Sequence, residues 1–241
     1  MRHDEREAWD LRPVAFRIDV NRHAEGSCLM ELGATHVLAT ATVEDKVPPF
    51  LRGQGQGWVH AEYGMLPRAT HRRTPREVTR GRPQGRTVEI QRLIARSFRA
   101  VTDLKGIGER TYVVDVDVLQ ADGGTRTAGI TAGFLALMGA VARTTPGVAV
   151  FDDWLAAVSV GLKDGEAWLD LDFEEDSAID VDLNCAMTAG HRLVELQGSG
   201  EHASFPREAL DHMLDLATGG VDTLVAQMRQ AFPGGAALVR Q

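Results

Sequence analysis

The stretch from 111 to 144 constrains the fold most. Its first ten residues, TYVVDVDVLQ, alternate valine with aspartate, the period of two that turns apolar side chains to one face of a strand and carboxylates to the other. After AlaAspGlyGlyThrArgThr the pattern changes, and AGITAGFLALMGAVART holds one charged residue, Arg143. A helix with no polar face has to be buried. Strand, Gly-Gly turn and helix also form the layout that leaves free backbone N–H groups at a helix N-terminus.

The flanking sequence supplies elements to cover that helix. RPVAFRIDV, SCLMEL and THVLATATV read as short strands between Arg12 and Glu44, and RGQGQG (52–57) forms no regular element. WVHAEYGMLPRATHRR is a loop, or a strand leading into one. Val88, Ile90, Leu93, Ile94, Phe98 and Val101 fall at helical spacing and predict a helix from about Thr87 to Leu104. Four more strands follow, WLAAVSVGL, EAWLDLDF, DVDLNCAMT and HRLVELQ, the first two joined by a LysAspGly hairpin signal. Pro206 opens an amphipathic helix, ALDHMLDLA, which Gly219 and Gly220 are expected to break before VDTLVAQMRQAF. The order gives an α/β sandwich with mixed sheets. We expect one domain over 1–241, its core at about 10–232 and its tail from 233 to 241 poorly ordered.

Charge is partitioned along the chain. Formal net charge is −8, with 26 basic and 34 acidic residues, yet ten arginines against two acids between Leu66 and Arg99 make that segment +8 and leave −16 elsewhere. A basic stretch with so little apolar content is solvated, pairs with a neighbouring subunit's acids, or faces a polyanion. Cys28 and Cys185 lie far apart in apolar stretches and read as buried thiols, and the eight histidines show no zinc-ligand spacing. The first residues lack an apolar leader, and no run approaches the roughly 18 apolar residues of a membrane helix, so a cytoplasmic protein without a membrane partner is expected.

Two constellations are suited to chemistry. Gly123, Gly124, Thr125 and Arg126 combine close backbone approach, a hydroxyl and a planar two-pronged cation at a helix start, which suits phosphate. Arg86 with Thr87 repeats the logic before the other helix. Each is equally compatible with a plain turn whose arginine lies in solvent. Glu174, Glu175, Asp176, Asp180 and Asp182 form an acid cluster in which Asp180 and Asp182 share a strand face and converge near Asp176, hard oxygens suited to Mg²⁺ unless simply solvated. Asp115 and Asp117 are a second same-face pair.

Taken in order, LRPV (11–14), AEGSCLMELGATHVLATATVE, GQGQGWVHAEYGMLPRAT, GRTVEIQRLIARSFRAV, DVDVLQADGGTRTA and EEDSAIDVDLNCAMT resemble the ribonuclease PH family, relatives of polynucleotide phosphorylase and the exosome core. The resemblance spans roughly residues 10 to 230. It implies a ribonuclease PH-like fold of the ribosomal protein S5 domain 2-like type. It also implies a homohexamer built as a trimer of dimers, and phosphate-dependent trimming of tRNA-precursor 3′ ends to nucleoside diphosphates. Arg86, Gly124, Thr125 and Arg126 match the family's phosphate-binding residues. Asp176 and Asp182 match aspartates with an acid or metal role, for Mg²⁺ or Mn²⁺. Arg68, Arg72, Arg73, Arg76, Arg92 and Arg96 are the candidate RNA contacts. The alternative is a catalytically inactive RNA-binding ring subunit, a type that tends to lose one of Arg86, Arg126 and Asp182, all present here. In RHDER (2–6), Glu5 stands where the family's motif has glycine, which puts the local turn in question.

Overall fold

A computed structural model describes residues 2–81, 84–201 and 204–240. The first half forms a five-stranded sheet from β1 (Val14–Ile18), β2 (Gly26–Leu32), β3 (Thr35–Glu44), β4 (Trp58–Met65) and β5 (Thr111–Gln120). Its order is β1-β2-β3-β5-β4, antiparallel except where β4 runs parallel to β5. That parallel pair needs a crossover, which the helix α1 (Gly85–Ala100) supplies by packing on β4. The second half forms an antiparallel sheet, β7-β6-β8-β9, from β6 (Leu155–Lys163), β7 (Glu166–Leu169), β8 (Val181–Thr188) and β9 (Leu193–Gly200).

Between the sheets lies α2 (Thr125–Thr144), the apolar segment. It packs on β2, β3 and β5 of one sheet and on β6 and β8 of the other, so its whole circumference is covered and residues 127–141 are all buried. Burying Phe134, Leu135, Leu137 and Met138 completely stabilises by about 1.5–3 kcal/mol each. Small residues set the approach: a Cβ on Gly26 would lie 2.0 Å from the Ala136 carbonyl. Among the described helices α2 alone is long and apolar enough to cross a membrane, yet 83% of that window is buried inside the protein. It is the core helix. Cys28 and Cys185 are free and buried in this core, which pushes both thiols up to about 12.

The remaining helices correct three expectations. α1 stops at Ala100, short of Leu104, because Val101 N–H turns back to the Phe98 carbonyl and Thr102 pairs with Phe151. The EAWLDLDF strand ends at Leu169; Asp170 adopts φ +53°, and the chain turns into the four-residue α3 (Phe173–Asp176). The helix α4 (Arg207–Ala231) runs unbroken through Gly219 and Gly220. Gly220 is needed there, since a Cβ would lie 2.8 Å from Leu169 of β7, on which α4 packs.

The tail also carries structure. Pro233–Leu238 forms a 3-10 helix against α2 with Leu238 buried, Val239 pairs with Phe151, and Arg240 forms ion pairs with Asp103 and Asp152.

Candidate active site

The Gly-Gly turn after β5 takes the left-handed backbone twice, at Gly123 (φ +75°) and Gly124 (φ +62°). Gly123 also lacks room for a side chain, because a Cβ would sit 2.4 Å from the Leu171 carbonyl. Gly124 caps α2 and leaves the N–H groups of its first turn available to an anion. Thr125 Oγ1 accepts a hydrogen bond from the Tyr63 hydroxyl at 3.0 Å. Arg126 Nη1 donates to Gln197 Oε1 of β9 at 2.7 Å, and Gln197 Nε2 donates to Glu89 Oε1 of α1 at 2.7 Å. Arg86 is exposed on the first turn of α1, whose start is held by Glu77: its carboxylate accepts from Gln84 N–H at 3.1 Å and from Thr87 Oγ1 at 2.6 Å.

These elements enclose a cleft of about 290 Å³ whose lining includes Arg86, Arg126, Asp182, Gln197 and Glu201. Asp182, on β8, accepts from Asn184 Nδ2 at 3.1 and 3.0 Å. Burial, then the charge of Asp176, pushes its carboxyl above the usual range, against the pull of Arg126. Asp176, the last residue of α3, is raised chiefly by desolvation and drawn down by Arg126 and Arg86. Arg126 thus pulls against the rise of both carboxyls, while the charge of Asp176 adds to that of Asp182 and the charge of Glu201 to that of both. Tyr63, beneath them, is raised by its burial while Thr125, Arg86 and Arg126 lower it.

The rest of the acid cluster goes elsewhere. β8 begins at Val181, so Asp180 lies before the strand, and its carboxylate accepts from Asp164 N–H at 3.0 Å in the β6–β7 hairpin. Glu175 points inward: it completes a capping box with Asp172 and pairs with Arg2 at 2.6 Å and Arg6 at 3.2 Å. Glu174 is exposed. Asp115 and Asp117 line a separate hollow of about 360 Å³ with Glu62 and Thr40, and burial raises both carboxyls.

The arginine segment divides as well. Arg68, Arg72, Arg73 and Arg76 are exposed between β4 and α1 and form no ion pair among the described residues. Arg82 and the Arg80 side chain lie outside those residues. Arg92 and Arg96 line a second hollow of about 290 Å³ that shares Glu89 and Gln197 with the cleft, and there Arg96 pairs with Glu195 at 2.6 Å. Arg99 stacks over Trp58 at 4.4 Å and donates to the Val59 carbonyl, a structural use. Tyr63, Gln197 and Glu77 escaped sequence reasoning. An aromatic in an alternating strand reads as core, and a glutamine whose partners lie on two distant helices leaves no local spacing.

A helix start with free N–H groups, two guanidinium groups and the Asp182 carboxylate meet at one cleft, an arrangement suited to binding an anion. The chain matches the family models described as the 3′ exoribonuclease family, domain 1 over residues 10–142 and domain 2 over residues 153–220. It is 54% identical over 235 residues to ribonuclease PH of Methylocella silvestris, covering 96% of this chain and 99% of that one. Ribonuclease PH of Bacillus subtilis is 52% identical over 237 residues, covering 96% and 97%. Among solved structures, rice (Oryza sativa) Rrp46 superposes with a TM-score of 0.78 at 17% identity, covering 95% of this chain and 98% of that one. The Archaeoglobus fulgidus exosome with RNA bound to the active site superposes with a TM-score of 0.79 at 23% identity, covering 94% and 92%. At those identities the structural likeness speaks for the fold. The chain belongs to the ribonuclease PH family.

Proposed function

We propose that this chain is a phosphorolytic 3′-to-5′ exoribonuclease, and the observation that carries the reading is the convergence of Arg86, Arg126 and Asp182 on one cleft beside the N-terminus of α2. The bond that forms joins a phosphate oxygen to the last internucleotide phosphorus. The bond that breaks frees the 3′ oxygen of the shortened RNA, so the product is a nucleoside diphosphate. Two anions have to be brought together, which is unfavourable unless fixed positive charge meets them. Arg126, Arg86 and the N–H groups after Gly124 bind the phosphate, with Thr125 held in place by Tyr63.

The carboxylates suit a divalent metal. Asp176 raises the proton affinity of the partly desolvated Asp182, a repulsion that a cation would relieve, and one or two carboxylates plus phosphate oxygens are the donor set Mg²⁺ prefers. Asp176 and Asp182 would hold Mg²⁺ or Mn²⁺, which would neutralise charge on the reacting phosphates. Arg68, Arg72, Arg73 and Arg76 contact the RNA on its way to the cleft, with Arg92 and Arg96 along the adjoining hollow. The finer reading is a cytoplasmic homohexamer acting on tRNA-precursor 3′ ends, which rests on membership of the ribonuclease PH family.

The test is a 3′-tailed RNA incubated with Mg²⁺, with and without phosphate. Nucleoside diphosphates that form only with phosphate are expected. Monophosphates released without it would overturn the reading.

A further inference from the structure

The anion-binding turn and the acid-bearing helix come from different sheets, so some contact has to fix their separation. They touch directly. The Gly123 backbone packs on the Leu171 carbonyl, and Phe173 N–H donates to Asp122 Oδ1 at 3.4 Å. Beneath both lies Arg12, whose side chain is 4% exposed. Its Nε and Nη2 donate to the two carboxylate oxygens of Asp170 at 3.0 and 2.7 Å, and its backbone N–H donates to Asp170 Oδ2 at 2.8 Å. Its third nitrogen, Nη1, donates to the Asp122 carbonyl, and a Cβ on Gly124 would lie 3.2 Å from Nη2.

One guanidinium therefore grips the acid-bearing segment with two nitrogens and the anion turn with the third. Asp170 is held from the other side too, where its carbonyl accepts from Arg2 Nη2 and Arg6 Nη1, each at 2.9 Å. We infer that Arg12 is a positioning residue, fixing Gly124, Thr125 and Arg126 at their working distance from Asp176 and Asp182, an assignment that rests on the phosphorolytic reading. Arg12 lies beneath the turn and acts through it. Lysine keeps the charge beside Asp170, but a single ammonium cannot span both segments.

The experiment uses the full chain, a 3′-tailed RNA, Mg²⁺ and titrated phosphate. Arg12→Lys is expected to raise the KM for phosphate about tenfold or more while changing RNA affinity by less than about twofold, because a small displacement of an anion turn is costly and the RNA-contacting arginines are untouched. Leu238→Ala, a buried change in the 3-10 helix near the C-terminus, shows what lost stability alone does to KM. If Arg12→Lys does not fold, Asp170→Asn carries the same expectation, since it removes the charge that the fork grips. A KM for phosphate at the wild-type value, or shifted no further than in Leu238→Ala, overturns the inference. Wild-type turnover that needs no phosphate is a separate outcome, which overturns the phosphorolytic reading and the inference with it.

Discussion

Burial and the nearby charge of Asp176 raise the Asp182 carboxyl, so at neutral pH its charge opposes folding while serving the site. Because folding raises its pKa, the folded chain binds more protons than the unfolded chain between the ordinary carboxylate range and the raised value. Stability therefore increases as pH falls through that window, and above it the charged form is a continuing cost. Asp182→Asn is expected to raise the melting temperature by about 2–4 °C, the shift that roughly 1 kcal/mol gives at this size. In the same variant turnover should fall about 100-fold or more. Loss of both stability and rate would show instead that the carboxylate is a structural partner of Asn184. In the wild type, turnover should decline as pH drops through the raised values of Asp176 and Asp182. Arg126→Ala should raise the KM for phosphate with little change in RNA affinity; an equal loss of RNA binding counts against its proposed role. Glu5 adopts φ +64°, where the family's motif has glycine. Relief of about 1–2 kcal/mol of left-handed strain outweighs the roughly 0.5–1 kcal/mol entropic cost of glycine, so Glu5→Gly should stabilise slightly in denaturant melts. Arg86, Arg126 and Asp182 were legible as residues because each sits in a local motif. Arg12 was not, since its partners lie 110 and 158 positions away.

At the scale of elements, periodicity located the strands and the buried helix, and it failed where packing decides. The Gly219–Gly220 pair reads as a break because glycine weakens helices, yet α4 crosses it to keep its face on β6 and β7. The two glycines differ in surroundings: Gly219 is exposed with nothing within 4 Å of a would-be Cβ, whereas Gly220 is pressed on Leu169 and Val158. Gly219→Ala should stabilise by about 0.5–1 kcal/mol, and Gly220→Ala should destabilise by about 1–3 kcal/mol, both read from chemical denaturation. Equal effects would mean α4 does not sit this close to β7. The spacing of Asp180 and Asp182 misled for a related reason. A period of two presumes a strand, and this one starts a residue later, with Asp180 held by the hairpin.

For the whole molecule, the −8 total hides an exposed basic stretch on an acidic body. RNA affinity should fall steeply with salt, by about 0.7 unit of log K per tenfold salt for each contact to a single-stranded phosphate. Replacing Arg68, Arg73 and Arg76 by alanine together should flatten that slope. A slope unchanged by the triple replacement would place the RNA elsewhere. Light scattering should give a multiple of 26.2 kDa if subunits assemble, and a persistent 26.2 kDa species would remove the ring from the reading. The placement of α2 between two sheets also bears on how the chain is made. During synthesis the first sheet and α2 leave the ribosome before β6 and β8 do, so the face of α2 that later meets them has no cover for the time taken to translate some forty further residues. At about 5–20 residues per second that interval lasts seconds, long enough for chaperones to compete with the second sheet for the same apolar surface.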